Sequence, residues 1–293
     1  MEVEDLFGAT AFIITMAILI YASIRDWKER EVPNTPWIIL SIIGLVMFVS
    51  YSIYLTGFRW EYIMLAAGTA MIIVDLFIDK ENNFIFYLVM AVLFIVPLFN
   101  NLSEEIFRAW ASIPLCYIIF VVFFIFTIVR GAADAKCLIA LSIMFPLYPF
   151  FFGLPLIDIP DSMISQIFIF PISVLFIAAF LTIPVILYHA IKNYKDEGLT
   201  RRLFLGYRMD ISKAENAYVW PIEDIVDGKL ENIKIPEDED MGNIYARLKE
   251  AGQEKIRVTP MMPFVIFITM ATAFILLIGN PIFLIYSFLF SLL

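Results

Sequence analysis

The chain has 293 residues, 61% of them hydrophobic and only 17% charged, with mean hydropathy +0.87 and a formal charge of −9. Soluble domains run at about 45–50% apolar and about 25% charged residues, so the composition excludes an ordinary soluble enzyme, and the acidic balance argues against a nucleic-acid partner. One histidine, His189, and two cysteines, Cys116 and Cys137, exclude a multi-histidine metal centre and a disulfide framework, and no cofactor or metal is expected.

The acidic start, Met1-Glu2-Val3-Glu4-Asp5, lacks the basic region and small-residue cleavage site of a signal peptide. The first apolar run is therefore expected to be a permanent span. Hydropathy predicts eight membrane segments, near 7–25, 35–57, 61–79, 83–100, 110–130, 135–153, 165–191 and 262–291, each judged against a bilayer core of about 30 Å. The fourth and sixth are short, as a re-entrant or tilted segment would be. The expected fold is an all-α polytopic bundle of about eight transmembrane helices embedded in the lipid bilayer. A small cytosolic appendage at 193–260 separates a transmembrane core, 1–192, from a C-terminal helix, 261–293. Within the appendage, 240–252 reads as a short helix stopped by Gly252. The acidic run Glu237-Asp238-Glu239-Asp240 reads as a solvated loop.

Lys and Arg in the connecting segments set the orientation. With the N-terminus outside, the inside loops carry Arg25, Lys28 and Arg30, then Lys80, then Arg130 and Lys136, then the basic residues of the long segment. The outside loops carry only Arg59 and Arg108, and 153–164 has acids alone, Asp158 and Asp161. Both termini are thus expected outside the membrane. Asp26, at the exit of the first helix, and Asp134, at the entry of the sixth, then share the cytosolic face.

Taken singly, each of these aspartates has a plain explanation. Asp26 would be a solvated loop carboxylate beside basic neighbours, and Asp134 a carboxylate favoured at a helix N-terminus. Together they form what metal-free, nucleophile-free peptide hydrolysis needs, two carboxylates that share one proton because like charges in close proximity resist double ionisation. A carboxylate at a membrane helix end is costly to hold and marks a functional position. Gly131, Ala132 and Ala133 put almost no bulk before Asp134, which allows close approach of a backbone or a helix. Pro33 marks the turn into the second helix, and Lys136 is expected to snorkel toward headgroups.

Gly131-Ala132-Ala133-Asp134 is similar to the Gly-x-Gly-Asp motif of membrane aspartic proteases. Asp26-Trp27-Lys28-Glu29-Arg30-Glu31-Val32-Pro33-Asn34 resembles the first aspartate motif of type IV prepilin peptidases, in which basic residues and an Ile/Val-Pro-Asn/Asp turn follow the acid. Gly206-Tyr207-Arg208, Val219-Trp220-Pro221-Ile222-Glu223 and Arg257-Val258-Thr259-Pro260-Met261-Met262-Pro263 resemble the C-terminal region of archaeal preflagellin peptidases. The resemblance implies a class III signal peptidase that removes the leader from prepilin-like or preflagellin-like proteins at the cytosolic face. Asp26 and Asp134 would be its catalytic pair, supported by Gly131, Ala132, Ala133, Lys136, Pro33 and Asn34.

Two departures accompany the resemblance. Ala133 replaces the motif's second glycine, which is tolerated if its φ is negative and strained if it is positive. The aspartates are 108 positions apart, where the family pattern has two fewer spans; roughly 50 extra residues fit one inserted hairpin and keep both acids on one side. Asp75 and Asp79 fall at i and i+4 on the third span, with Asp75 a possible partner of Lys80. The alternative function is a transporter or channel using boundary carboxylates, which would call for midplane charges, broken helices and a repeat; no convincing repeat is present.

Overall fold

The computed structural model describes residues 3–78, 83–157, 169–198, 204, 206–233, 235–236 and 240–281. The helices are α1 (Val3–Glu29), α2 (Thr35–Thr56), α3 (Trp60–Phe77), α4 (Phe84–Leu98), α5 (Glu105–Ile125), α6 (Ala132–Met144), α7 (Ile169–Glu197), α8 (Ile211–Ala214), α9 (Met241–Glu250) and α10 (Phe264–Leu277). The strands are β1 (Tyr207–Asp210), β2 (Val219–Pro221), β3 (Glu223–Val226), β4 (Lys229–Asn232) and β5 (Lys255–Pro260). The chain divides into two compact units, one comprising 1–179 with 264–293 and the other 180–263, and α7 runs from the first into the second.

The first unit is a bundle of apolar helices, one at each position where hydropathy predicts a segment. Five of them (α1, α2, α3, α5 and α7) are long and apolar enough to cross a membrane, and α4 and α10 are shorter apolar helices. The chain is a multi-pass membrane protein by this pattern of length and composition. Large apolar side chains such as Ile13, Phe58, Phe84 and Ile125 face outward, as lipid-facing positions do. Small residues let the helices close on one another. A Cβ on Gly44 of α2 would come within 2.8 Å of the Met144 backbone, and one on Gly68 of α3 within 2.8 Å of the Phe94 ring of α4.

The sixth segment departs from expectation. α6 stops at Met144 rather than running to 153. Pro146 restricts Phe145 away from helical geometry, and Pro149, Gly153 (φ +74) and Pro155 keep the chain irregular beyond it. This irregular stretch stays inside the unit because its polar groups find partners. Phe152 N–H donates to Asp5 Oδ1 (2.8 Å), Tyr148 OH to the Ile275 carbonyl (2.9 Å), and Leu156 and Ile157 N–H to the carbonyls of Leu277 and Ile278. The segment 158–168 and the part of the last predicted span beyond 281 lie outside the described residues.

The second unit is mixed α/β. β5 lies between β1 and β2 in an antiparallel three-stranded sheet, with Tyr207 opposite Val258 and Pro221 also opposite Val258 on the other side. β3 and β4 form a hairpin turned by Asp227 and Gly228, both at positive φ. The predicted helix appears as α9, followed by Gly252 at φ +70, a left-handed end that glycine adopts without strain. Ile244 and Leu248 of α9 pack with Ile211, Val219, Ile256 and Val258 into a separate apolar core. The Glu237-Asp238-Glu239 part of the acidic run lies outside the described residues.

Candidate active site

The end of α1 is built around Asp26. It is only 7% exposed, so it is not the solvated loop carboxylate its neighbours suggested. The buried face of α1 is a single stripe, Gly8, Ala11, Thr15, Leu19, Ala22 and Asp26, spaced at three and four residues as one helix side requires. Asp26 Oδ2 accepts a hydrogen bond from the Val265 backbone N–H at 3.0 Å. Val265 is the second residue of α10, so the carboxylate meets unpaired N–H groups and the positive end of a helix dipole. Arg30 closes α1 at φ +58, with its N–H on the Asp26 carbonyl and its guanidinium 5.3 Å from the Trp27 ring centre. A left-handed arginine is uncommon and costs roughly 1 kcal/mol.

Asp134 occupies the third position of α6, after the N-cap Gly131. Its carboxylate folds back over that glycine: a Cβ on Gly131 would lie 2.3 Å from Asp134 Oδ2 and 2.9 Å from its Cγ. The glycine is thus required for space, since its φ of −81 is open to any residue. Ala132 and Ala133 are ordinary first-turn residues of α6, and neither is among the residues at positive φ. Alanine in place of the motif's second glycine therefore introduces no backbone strain. The two carboxylates are close enough to interact electrostatically. Asp26 has the Val265 N–H, while the Asp134 side chain has no hydrogen-bond partner among the described residues.

A direct bond joins the two motifs. Lys136 Nζ donates to Asn34 Oδ1 at 2.8 Å and lies 5.6 Å from the Phe77 ring centre on α3. Its expected reach to lipid headgroups is replaced by this contact across 102 positions of sequence. Pro33 sits in the short non-helical link between α1 and α2, and Asn34 caps α2 through its carbonyl, which accepts from Trp37 and Ile38 N–H. The Asn34 side chain does not cap the helix, which leaves it free for Lys136. The ends of α1 and α3 and the starts of α2, α6 and α10 thus converge at one end of the bundle.

Other side chains raised by the sequence lie elsewhere. Asp75 accepts hydrogen bonds from Tyr87 OH (2.9 Å) on α4 and from Tyr117 OH on α5, so it ties three helices together. The suggested partner Lys80, with Asp79, lies outside the described residues. His189 stacks flat on Tyr207 in the second unit, with ring centres 4.7 Å apart and planes 4° apart. Both cysteines are free and buried. Among the described residues, no three His, Cys, Asp or Glu side chains are grouped as a metal site. A cavity of about 540 Å³ opens at the other end of the bundle, lined by Glu4, Tyr51, Thr56, Glu105 and Tyr148 among others, away from both aspartates.

The three C-terminal motif fragments are brought together in the second unit by its sheet. Val219, Trp220 and Pro221 pair with Pro260, Thr259 and Val258. Gly206 at φ +63 is pressed so closely to the Val258 carbonyl that a Cβ would fall 2.1 Å from its oxygen. Glu223 accepts from the Arg257 N–H at 2.8 Å, and both side chains are 2% exposed. These residues hold a small fold together.

Two family models match separate parts of the chain. Residues 13–83 match the model of the type IV leader peptidase family, and residues 199–280 match that of the archaeal peptidase A24 C-terminus, type II. The first match contains Asp26, Pro33 and Asn34, and Asp134 lies between the two. A preflagellin peptidase of Methanocaldococcus jannaschii is 25% identical over 289 residues, spanning 96% of this chain and 99% of that protein. An uncharacterised protein of the same organism is 23% identical over 267 residues, 89% of each chain. With a match to the leader-peptidase model near one end, a match to the archaeal C-terminal model near the other and similarity along nearly the whole chain, the protein resembles the type IV leader peptidases.

Proposed function

We propose that this protein is a membrane aspartic endopeptidase that cleaves the N-terminal leader from preflagellin-like or prepilin-like proteins at the cytosolic membrane face, using Asp26 and Asp134. The observation that carries the reading is the meeting of two distant acidic motifs at one end of the bundle, within electrostatic reach and joined by the Lys136–Asn34 bond. The name of the Methanocaldococcus relative supports a preflagellin-like substrate.

The surroundings differentiate the two acids. Asp26, with a backbone N–H and a helix N-terminus on its carboxylate, is the group held ionised and serves as the base. Asp134, with no such donor, carries the shared proton. Water placed between them gives one proton to Asp26 as its oxygen attacks the scissile carbonyl carbon. Asp134 hydrogen-bonds the carbonyl oxygen and transfers its proton to it. Collapse of the tetrahedral intermediate breaks the C–N bond. The leaving nitrogen takes the proton from Asp26, the oxygen returns its own to Asp134, and the pair regains its starting state. Because the proton belongs to the pair, both carboxylates are needed.

The test is single replacement, Asp26→Asn and Asp134→Asn, with cleavage of a preflagellin-like substrate followed in membranes. Each change is expected to abolish processing while the protein still inserts and folds, whereas Asp75→Asn retains it. Cleavage surviving in either dyad variant would overturn the mechanism.

A further inference from the structure

Most buried serine and threonine hydroxyls in this bundle close onto their own helix. Ser52 donates to Phe48, Thr69 to Leu65, Ser142 to Ile139 and Thr269 to Val265, the usual local partner for a hydroxyl in a membrane helix. Thr15, Ser41 and Thr272 do not. Their side-chain oxygens, and the indole nitrogen of Trp37, have no hydrogen-bond partner among the described residues, although all four residues are 0% exposed. A buried polar atom left without a partner is rare and destabilising, and four within this bundle call for a cause.

Their positions suggest one. Thr15 shares the α1 stripe with Asp26. Trp37 and Ser41 are one turn apart on the buried side of α2, which begins at Asn34. Thr272 is two turns along α10 from Val265, the residue that donates to Asp26. At 1.5 Å per residue, Trp37 lies about 5 Å, Ser41 and Thr272 about 10 Å, and Thr15 about 16 Å along their helices from the aspartate end. The orphaned atoms thus lie along three helices that meet at the candidate site, α1 ending there and α2 and α10 starting there.

We infer that Trp37, Ser41, Thr272 and Thr15 hold internal water, and that this water forms a hydrogen-bonded track within the bundle leading to Asp26. Each orphan then gains the partner it lacks, at the usual two to four polar contacts per buried water. Resting on the peptidase reading, the track also has a use. A dyad covered by an apolar substrate segment loses access to bulk solvent, and a reservoir behind Asp26 supplies the water consumed in each turnover. The ordered chain holds that water beside the base.

Hydration and delivery are tested separately. Radiolytic hydroxyl labelling, whose radicals arise from water itself, is measured at Trp37 in the wild type and in Asp134→Asn. Trp110 is the internal reference, equally buried but with its indole N–H bonded to Ser52 Oγ at 3.1 Å. Labelling of Trp37 well above Trp110 is expected in both proteins, and equal protection overturns the proposal whether or not the protein is a peptidase. For delivery, Ser41→Ala combined with Thr272→Val is compared with wild type on the same substrate. Removing one or two water-mediated bonds is expected to lower kcat by up to about tenfold with KM unchanged. A raised Tm with unchanged kcat would mean that dry, unsatisfied hydroxyls had been removed, and would overturn the track. The hydration result is independent of substrate identity, so its failure and that of the peptidase reading are distinguishable.

Discussion

Gly131→Ala is a sensitive probe of the site because its consequence is geometric. The added Cβ would lie 2.3 Å from Asp134 Oδ2 and 2.9 Å from Cγ, whereas non-bonded heavy atoms settle near 3.5 Å. The carboxylate must retreat by about 1 Å or turn to another rotamer. A displacement of that size costs on the order of 100-fold in rate. The fold loses much less, because φ at Gly131 is −81 and suits alanine; replacing glycine by alanine at an N-cap costs roughly 0.5–1 kcal/mol. The assay is initial-rate cleavage of a preflagellin-like substrate in vesicles, with Tm measured on the same preparations. A fall in kcat near 100-fold with a Tm drop of a few degrees is expected. Gly242→Ala, where a Cβ would meet nothing within 4 Å, serves as the neutral control. Wild-type kcat in a folded Gly131→Ala protein would refute the placement of the Asp134 carboxylate or its part in the reaction.

Further outcomes follow from other contacts. Lys136→Met and Asn34→Ala, combined in a double-mutant cycle on cleavage rate, are expected to couple by about 0.5–1.5 kcal/mol, the net worth of their hydrogen bond; strict additivity would show that the 2.8 Å contact is idle during catalysis. Asp75→Asn removes the charge that accepts from Tyr87 and Tyr117 and is expected to cost about 1–3 kcal/mol of bundle stability, read as a lower Tm with cleavage retained. Glu223→Ala removes the carboxylate beside the buried Arg257 side chain and the acceptor of the Arg257 backbone N–H and is expected to cost about 3–5 kcal/mol. That is enough to melt the 180–263 unit, with rapid proteolysis of its loops as the readout; an unchanged digestion pattern would show that the pair is dispensable.

The bundle was legible because bilayer thickness imposes a long, uniform apolar run on each helix, and no tertiary information is needed to find one. The end of α6 at Met144 was legible in principle from Pro146 and Pro149, but hydropathy averages over prolines and carried the prediction on to 153. The strands of the second unit were missed because they span three to six residues, too short for a period-two pattern to stand out. Its motif fragments carry a resemblance in sequence, but their physical sense lies in contacts between them. Glu223 and Arg257 are 34 positions apart and meet only in the folded unit. Cross-helix contacts are the least legible. Asp75 has no sequence signal for its two tyrosines, and a lysine near the start of a helix reads as a headgroup anchor because its partner Asn34 is 102 positions away.

Asp26 has a structural role in the bundle besides the chemical one proposed for it. α10 begins after Met261-Met262-Pro263, with no serine, threonine, asparagine or aspartate in place to cap it. A helix start buried in a membrane protein must find its acceptor somewhere, and it finds one 239 positions away on α1. The cap is therefore structural, and it is also what distinguishes the two carboxylates. Asp134 lies in the first turn of α6, so both acids face a helix start, and the backbone N–H donor on Asp26 alone breaks the symmetry of the pair. The role assignment can be tested through that donor. Val265→Pro removes the N–H, and proline is tolerated in the first turn of a helix, so α10 should form while Asp26 loses its hydrogen bond. Cleavage is expected to fall by roughly tenfold, the net value of one charge-assisted bond. A rate identical to wild type in a folded protein would show that the contact caps the helix and does nothing for the chemistry.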